Sequence, residues 1–223
     1  MSVRTFSRNA TWRNNVSVFD TLLREDPESG RAQWLLGDVQ YPIDRDASFR
    51  AYRVAISLLD GSYPLLMEVG RRLQISGKTE TAKTLFERAW SDFPDMGPAP
   101  QALAVIYHRE GDFKAAIAAA ASIAYGGSEP VSNHLWAHSL AAESRWSESV
   151  TARLLTIESG EGHQWQQWLW LGQAYANSED MIQGLAALDS ARVRTVHPES
   201  VRQIDSIRGT LKGGENATGL QNP

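Results

Sequence analysis

Two histidines, His134 and His138, stand four residues apart, a spacing that puts both on one face of a helix and so within reach of a shared metal ion. No glutamate follows His134, so the pair lacks the general base of a zinc peptidase. His108 is a third imidazole upstream. Three readings stay open: a metal clip, a contact to an organic ligand, or solvated side chains. Gly77-Lys78-Thr79 has the ending of a phosphate-binding loop, but that loop needs a glycine at position 72, which is Arg72. The phosphate reading therefore fails, and a turn between helices accounts for Gly77. Trp165, Trp168 and Trp170 are close enough in sequence to offer aromatic faces to a sugar or to pack as core. Packing is favoured for Trp168 and Trp170, which leaves Trp165 as the surface aromatic.

Little else in the chain carries chemistry. There is no cysteine, which excludes disulfides, thiolate metal ligands and a cysteine nucleophile. No Ser/His/Asp order, paired-carboxylate motif or glycine-rich nucleotide fingerprint is visible, and the expectation is a non-enzyme without metal or cofactor. Asn9-Ala10-Thr11, Asn15-Val16-Ser17 and Asn216-Ala217-Thr218 match a glycosylation acceptor pattern short enough to arise by chance. The 223 residues are 42% hydrophobic and 22% charged, enough for a sizeable core. With a net charge of −4 and dispersed Lys and Arg, nucleic acid is not an expected partner. The longest stretch of low polarity, Ala115 to Tyr125, is alanine-rich and about half of what a bilayer crossing needs.

The elements that must hold these residues come from a repeat. Small residues recur at Gly37, Gly70, Ala104, Ala137 and Gly172, spaced 33, 34, 33 and 35 apart. A second series, Ala55, Ala89, Ile123, Thr156 and Ala191, keeps the same period with spacings of 34, 34, 33 and 35. Two markers in step imply a tandem array of helical pairs, because a small residue lets two helix backbones approach where they cross. Large residues such as Leu36, Leu66 and Trp168 fill the space between helices. Pro42 should end the first helix near Gln40, and Pro94 and Pro198 should stop helices that would otherwise run on. Ile123, Thr156 and Ser149 occupy positions that favour small apolar residues, so looser packing is expected in the third and fourth pairs. Thr11 to Glu25 reads as a lone amphipathic helix carrying Trp12, Val16, Phe19, Leu22 and Leu23 on one side.

The segment Leu66-Met67-Glu68-Val69-Gly70, with Leu73, Gly77, Ala82, Phe86, Ala89 and Pro94, resembles the tetratricopeptide-repeat (TPR) pattern, and Trp168-Leu169-Trp170-Leu171-Gly172-Gln173-Ala174-Tyr175 restates its signature. The resemblance implies an all-α fold, a right-handed superhelix (α-solenoid) of five hairpins. The expected organisation is a half-repeat helix over 1–30, hairpins over 31–62, 63–96, 97–129, 130–164 and 165–197, a capping helix over 198–212 and a disordered tail over 213–223. It further implies a protein or peptide partner held in a concave groove lined by the first helix of each hairpin. Carried onto this sequence, the groove comprises Trp34, Asp38, Tyr41, Met67, Arg71, Gln74, Gln101, Val105, His108, Arg109, His134, His138, Leu169 and Gln173. The lysines and asparagines with which chaperone-binding TPR domains grip a carboxylate are missing from it.

The opening of the chain, Trp12-Arg13-Asn14-Asn15 with Phe19, Leu22-Leu23, Pro27-Glu28-Ser29, Arg31-Ala32 and Leu36-Gly37, is similar to the stretch after the last membrane helix in bacterial transmembrane and tetratricopeptide-repeat proteins with a glycosyltransferase-like membrane domain. That likeness implies an alternative: a detached C-terminal tail of such a polytopic protein, placed outside the cytoplasm. Without it, a soluble cytoplasmic protein is the default expectation. The lone first helix has the form of half a hairpin, and its uncovered apolar side makes self-association a further expectation.

Overall fold

The computed structural model describes residues 15–124 and 130–213. Trp12, the first and last glycosylation-like motifs and the expected tail from residue 214 lie outside the described residues. Among those described there are twelve α-helices, one short 3-10 turn and no strand. The helices are α1 (Asn15–Glu25), α2 (Gly30–Gln40), α3 (Arg45–Leu58), α4 (Tyr63–Ile75), α5 (Thr79–Asp92), α6 (Pro98–Glu110), α7 (Phe113–Ala124), α8 (Pro130–Ala142), α9 (Trp146–Glu158), α10 (Trp165–Asn177), α11 (Met181–Arg192) and α12 (Pro198–Lys212). The chain forms two compact units, residues 1–99 and 100–223. In the first, α1 precedes the hairpins α2/α3 and α4/α5. The second continues from within α6 through α8/α9 and α10/α11 to α12.

Local chemistry sets the helix ends. The carboxylate of Asp44 caps α3 by accepting from the Ala47 N–H at 2.9 Å, and that of Asp180 caps α11 by accepting from Gln183 N–H at 3.1 Å. Helix α2 stops at Gln40, two residues before Pro42, as the sequence predicts. Pro198 is not what stops the helix before it. Helix α11 has already ended at Arg192, and Pro198 opens α12 at its first position, where a missing N–H costs nothing and the fixed φ favours the helix.

The turn inside a hairpin is closed the same way four times. The N–H groups of Lys78, Asp112, Arg145 and Asp180 reach back five residues to the carbonyls of Leu73, Tyr107, Leu140 and Tyr175 at 2.8–2.9 Å. This closure places the preceding residue in the left-handed region: Gly77 at φ 76°, Gly111 at 78°, Ser144 at 58° and Glu179 at 69°. Glycine is at ease there, whereas Ser144 and Glu179 pay for a Cβ. Ser144→Gly and Glu179→Gly are each expected to raise the unfolding free energy by about 0.5–1 kcal/mol. Urea denaturation followed by circular dichroism measures it; a loss of stability in both variants would contradict the turn assignment.

Hairpin packing explains the repeat. A Cβ on Gly37 would sit 2.5 Å from the Tyr52 ring, one on Gly70 would sit 2.5 Å from the Phe86 ring, and one on Gly172 would lie 2.8 Å from Leu188. The small residue of the first helix is thus the seat for a large side chain from the second. Ser48 and Ser149 donate to the carbonyls of Gly37 and Ala137 at 2.7 and 2.8 Å, and Thr156 donates to Ala152 O at 2.9 Å. The last two were expected to loosen the fourth hairpin; instead both are fully buried, their hydroxyls satisfied by backbone carbonyls. At the end of the second unit, α12 lays Ile204, Ile207 and Leu211 against Leu169, Leu188 and Ala191.

Candidate functional site

In the first unit, the side chains that α2 and α4 present toward each other form a connected network. Trp34 Nε1 donates to Glu68 Oε2 at 3.1 Å. Tyr52 Oη donates to Asp38 Oδ1 at 2.6 Å, and Arg72 bonds Tyr52 Oη, Glu68 Oε1 at 2.5 Å and Asp38 at 3.3 Å. Tyr41 Oη donates to the Arg72 carbonyl at 3.2 Å, while the Arg72 guanidinium covers the Tyr41 ring at 4.7 Å. Burial pushes the Asp38 carboxyl above the usual carboxylate range, despite the Tyr52 hydroxyl and Arg72 acting the other way. Burial and the Asp38 contact push the Tyr52 phenol up. Trp34, Asp38 and Tyr41 are therefore engaged inside the protein, tying α2 to α3 and α4. Glu68 and Arg72, absent from the sequence-derived set, hold the network together; their i, i+4 spacing on a first helix was the available signal.

Beside this network lies a cleft of about 530 Å³ lined by Tyr63, Pro64, Met67, Glu68, Arg71, Arg72 and Pro98. Met67 is its apolar floor, 3% exposed, and Arg71 is an exposed guanidinium at its edge. The Tyr63 ring is held edge-on to Phe93 at 5.5 Å. Gln74, also expected in the groove, is half-buried on the same helix.

The second unit gathers the histidines. His134 and His138 meet with ring centroids 4.4 Å apart, both pack on Trp170 at 5.1 and 4.7 Å, and His108 approaches His138 at 6.5 Å. His108 Nδ1 bonds Ser139 Oγ at 2.9 Å, and Gln167 Nε2 lies 3.5 Å from His134 Nδ1. Burial lowers the pKa of all three imidazoles; for His138 burial, then the neighbouring Arg153, pushes it down to about 2. They are neutral at pH 7. Among the described residues no group of three or more His, Asp and Glu is placed to hold a metal ion, and no helix is long and apolar enough to cross a membrane.

Of the remaining expected residues, Gln101 and Val105 are half-buried on α6 and Arg109 is exposed at its end. Gln173 is 7% exposed, its Oε1 without a hydrogen-bond partner among the described residues. Leu169 requires a correction: it is 2% exposed and belongs to the core, because α12 brings Ile204, Ile207 and Leu211 onto the face where the repeat puts it. Trp165 also packs partly buried against that core rather than standing on the surface. Trp168 donates to the Gly162 carbonyl at 2.7 Å beneath Arg194.

Residues 73–125 match the tetratricopeptide repeat model. No curated protein matches the chain significantly. Among solved structures, the chain is similar to YrrB, a TPR protein with an unusual peptide-binding site, at a TM-score of 0.69 and 16% identity, covering 86% of this chain and 99% of that one. It is similar to MamA at a TM-score of 0.64 and 16% identity, over 75% of this chain and 92% of that one. The C-terminal part of a TPR repeat-containing protein from Cytophaga hutchinsonii follows at 0.63 and 13% identity, over 80% and 72% of the two chains. These likenesses establish the fold: an all-α repeat of TPR-type helical hairpins. The family match itself is confined to residues 73–125.

Proposed function

We propose that the chain is a non-catalytic TPR scaffold that binds a protein or peptide segment on the first-helix face of its hairpins. The observation that carries this reading is the cleft on α4, where an apolar floor at Met67 adjoins the exposed guanidinium of Arg71. A mixed lining of that kind suits a peptide side chain with a polar or acidic neighbour. The network behind it makes the wall rigid, so little ordering has to occur on binding. The peptide-binding site of YrrB, a protein of the same fold, is in keeping with this use.

Peptides selected by display on the full chain supply the test. Arg71→Glu combined with Arg109→Glu is expected to weaken their binding by about tenfold, the effect of reversing a rim charge on an acidic ligand, with helical content unchanged. Equal binding by the double variant would move the site to the second helices or to the ends of the repeat. Two finer proposals rest on the sequence resemblance and on α1. A tail of a membrane protein would appear as a band far larger than 24.7 kDa in the membrane fraction of source cells. Self-association through α1, on which Leu22 is 44% exposed, would be lost in Phe19→Asp.

A further inference from the structure

One position of the second helix is filled in turn by Tyr52, Phe86, Ala120, Arg153 and Leu188, following the crossing residue of each hairpin by 15 or 16 residues. Tyr, Phe, Ala and Leu are fully buried there, and Arg153, at 1% exposure, is buried as well. A guanidinium taken out of water is costly unless an anion and hydrogen-bond acceptors replace its hydration. Among the described residues Arg153 has neither: its Nε and Nη1 find no hydrogen-bond partner, and burial alone governs its charge state, with no carboxylate offsetting it. Its guanidinium lies 5.7 Å from the centre of the Trp170 ring, the ring on which His134 and His138 pack. Around this point, among the described residues, further polar atoms are left without partners: His138 Nε2, and Oε1 of Gln167, whose amide nitrogen lies beside His134. Buried polar groups are satisfied in folded proteins as a rule, and a concentration of exceptions around one cation marks a place where a polar group from outside belongs.

We propose that this set is a carboxylate site, in which one acidic group of a bound partner, a side chain or a chain terminus, enters between His138 and Trp170 and accepts hydrogen bonds from Arg153. A single cation among neutral imidazoles matches one negative charge, whereas a phosphate dianion would leave a charge uncompensated. His134, His138 and Trp170 are only partly buried, so they form the layer the group displaces on its way in. The amide of Gln167 donates or accepts as the entering group requires. The site goes further than the α4 cleft and names the chemistry of a second contact, and it rests on the scaffold reading for the source of the acid.

Nuclear magnetic resonance of the full chain with labelled arginine tests it without knowledge of the partner. N-acetylalanine, with a main-chain carboxylate only, and N-acetylglutamic acid α-amide, with a side-chain carboxylate only, are titrated against sodium chloride at constant ionic strength. The Arg153 Nε–H resonance, assigned by its loss in Arg153→Met or, if that variant does not fold, in Arg153→Lys, is expected to shift saturably. At least one of the two carboxylates should bind about tenfold more tightly than chloride, and the tighter one names the source. Arg153→Met is expected to melt at a higher temperature than the parent and to lose the stabilisation that the carboxylates confer on it. An Arg153 resonance that responds to neither carboxylate beyond chloride would overturn the proposal. So would a parent chain whose melting temperature no carboxylate raises. If only this titration fails while Arg71→Glu with Arg109→Glu still weakens peptide binding, the carboxylate site falls and the scaffold reading stands; failure of both would remove the two together.

Discussion

Phe86→Ala is expected to lower the unfolding free energy by about 3–5 kcal/mol, the cost of a large buried ring replaced by a cavity. Phe86 is 0% exposed and sits over Gly70, so its ring is the piece that joins α5 to α4. Gly70 offers no side chain to fill the gap. Filling from the other side fails too: a Cβ on Gly70 would stand 2.5 Å from the ring, so Gly70→Ala is expected to cost about 1–3 kcal/mol despite alanine's better helix propensity. Combining Gly70→Ala with Phe86→Leu should recover part of that loss, since the two residues share one space. Urea denaturation measures all three, with Ile182→Ala, 81% exposed, as a control expected to change stability by less than about 0.5 kcal/mol. Independent, additive losses at Gly70 and Phe86 would mean that they do not meet.

Acidification from pH 7 to pH 5 is expected to cost about 2 kcal/mol of stability through His138. Its folded pKa, about 2, lies far below the ordinary 6.5 that it regains on unfolding. Between these values the unfolded chain binds a proton that the folded chain refuses, so unfolding gains as pH falls. The contribution is fully present above pH 6.5 and is lost at a slope approaching about 1.4 kcal/mol per pH unit below it. His134 and His108, lowered by burial in the same sense, add to the slope. Carboxylates ordinarily titrate below this window, and Asp38, raised by burial, acts in the opposite sense, so a loss of stability here belongs to the histidines. His138→Gln should flatten the profile between pH 7 and pH 5; an unchanged slope would show that the buried, neutral imidazole is not what makes the protein acid-sensitive.

Much of the scaffold could be read from residues because its cause is local. A small residue must stand where two helices cross, so Gly37, Gly70 and Gly172 announce the hairpins, and Pro42 announces the end of α2. The left-handed turns at Ser144 and Glu179 gave no such signal, since nothing in a serine or glutamate marks a positive φ imposed by the closing hydrogen bond. The first-helix residues were harder still. Repeat spacing puts Trp34, Asp38 and Tyr41 on one helix face, but whether that face meets a ligand or its own neighbour depends on Glu68 and Arg72, one repeat away. Leu169 followed the same spacing and became core, because α12 covers it. Arg153 was visible as a charged residue in an apolar series, yet the series shows itself only when Tyr52, Phe86 and Leu188 are seen seated on the crossing residues. The division at residues 99 and 100 falls inside the first turn of α6, beside Pro94, Gly97, Pro98 and Pro100.

The most direct test of the scaffold reading is site-specific photocrosslinking in the source cells. A photoreactive phenylalanine analogue replaces Arg71, exposed on first helix α4, or Arg53, exposed on second helix α3. Covalent partner adducts at position 71 and none at position 53 are the result expected of a scaffold that binds along its first helices. Adducts at position 53 alone, or at neither position, would contradict it.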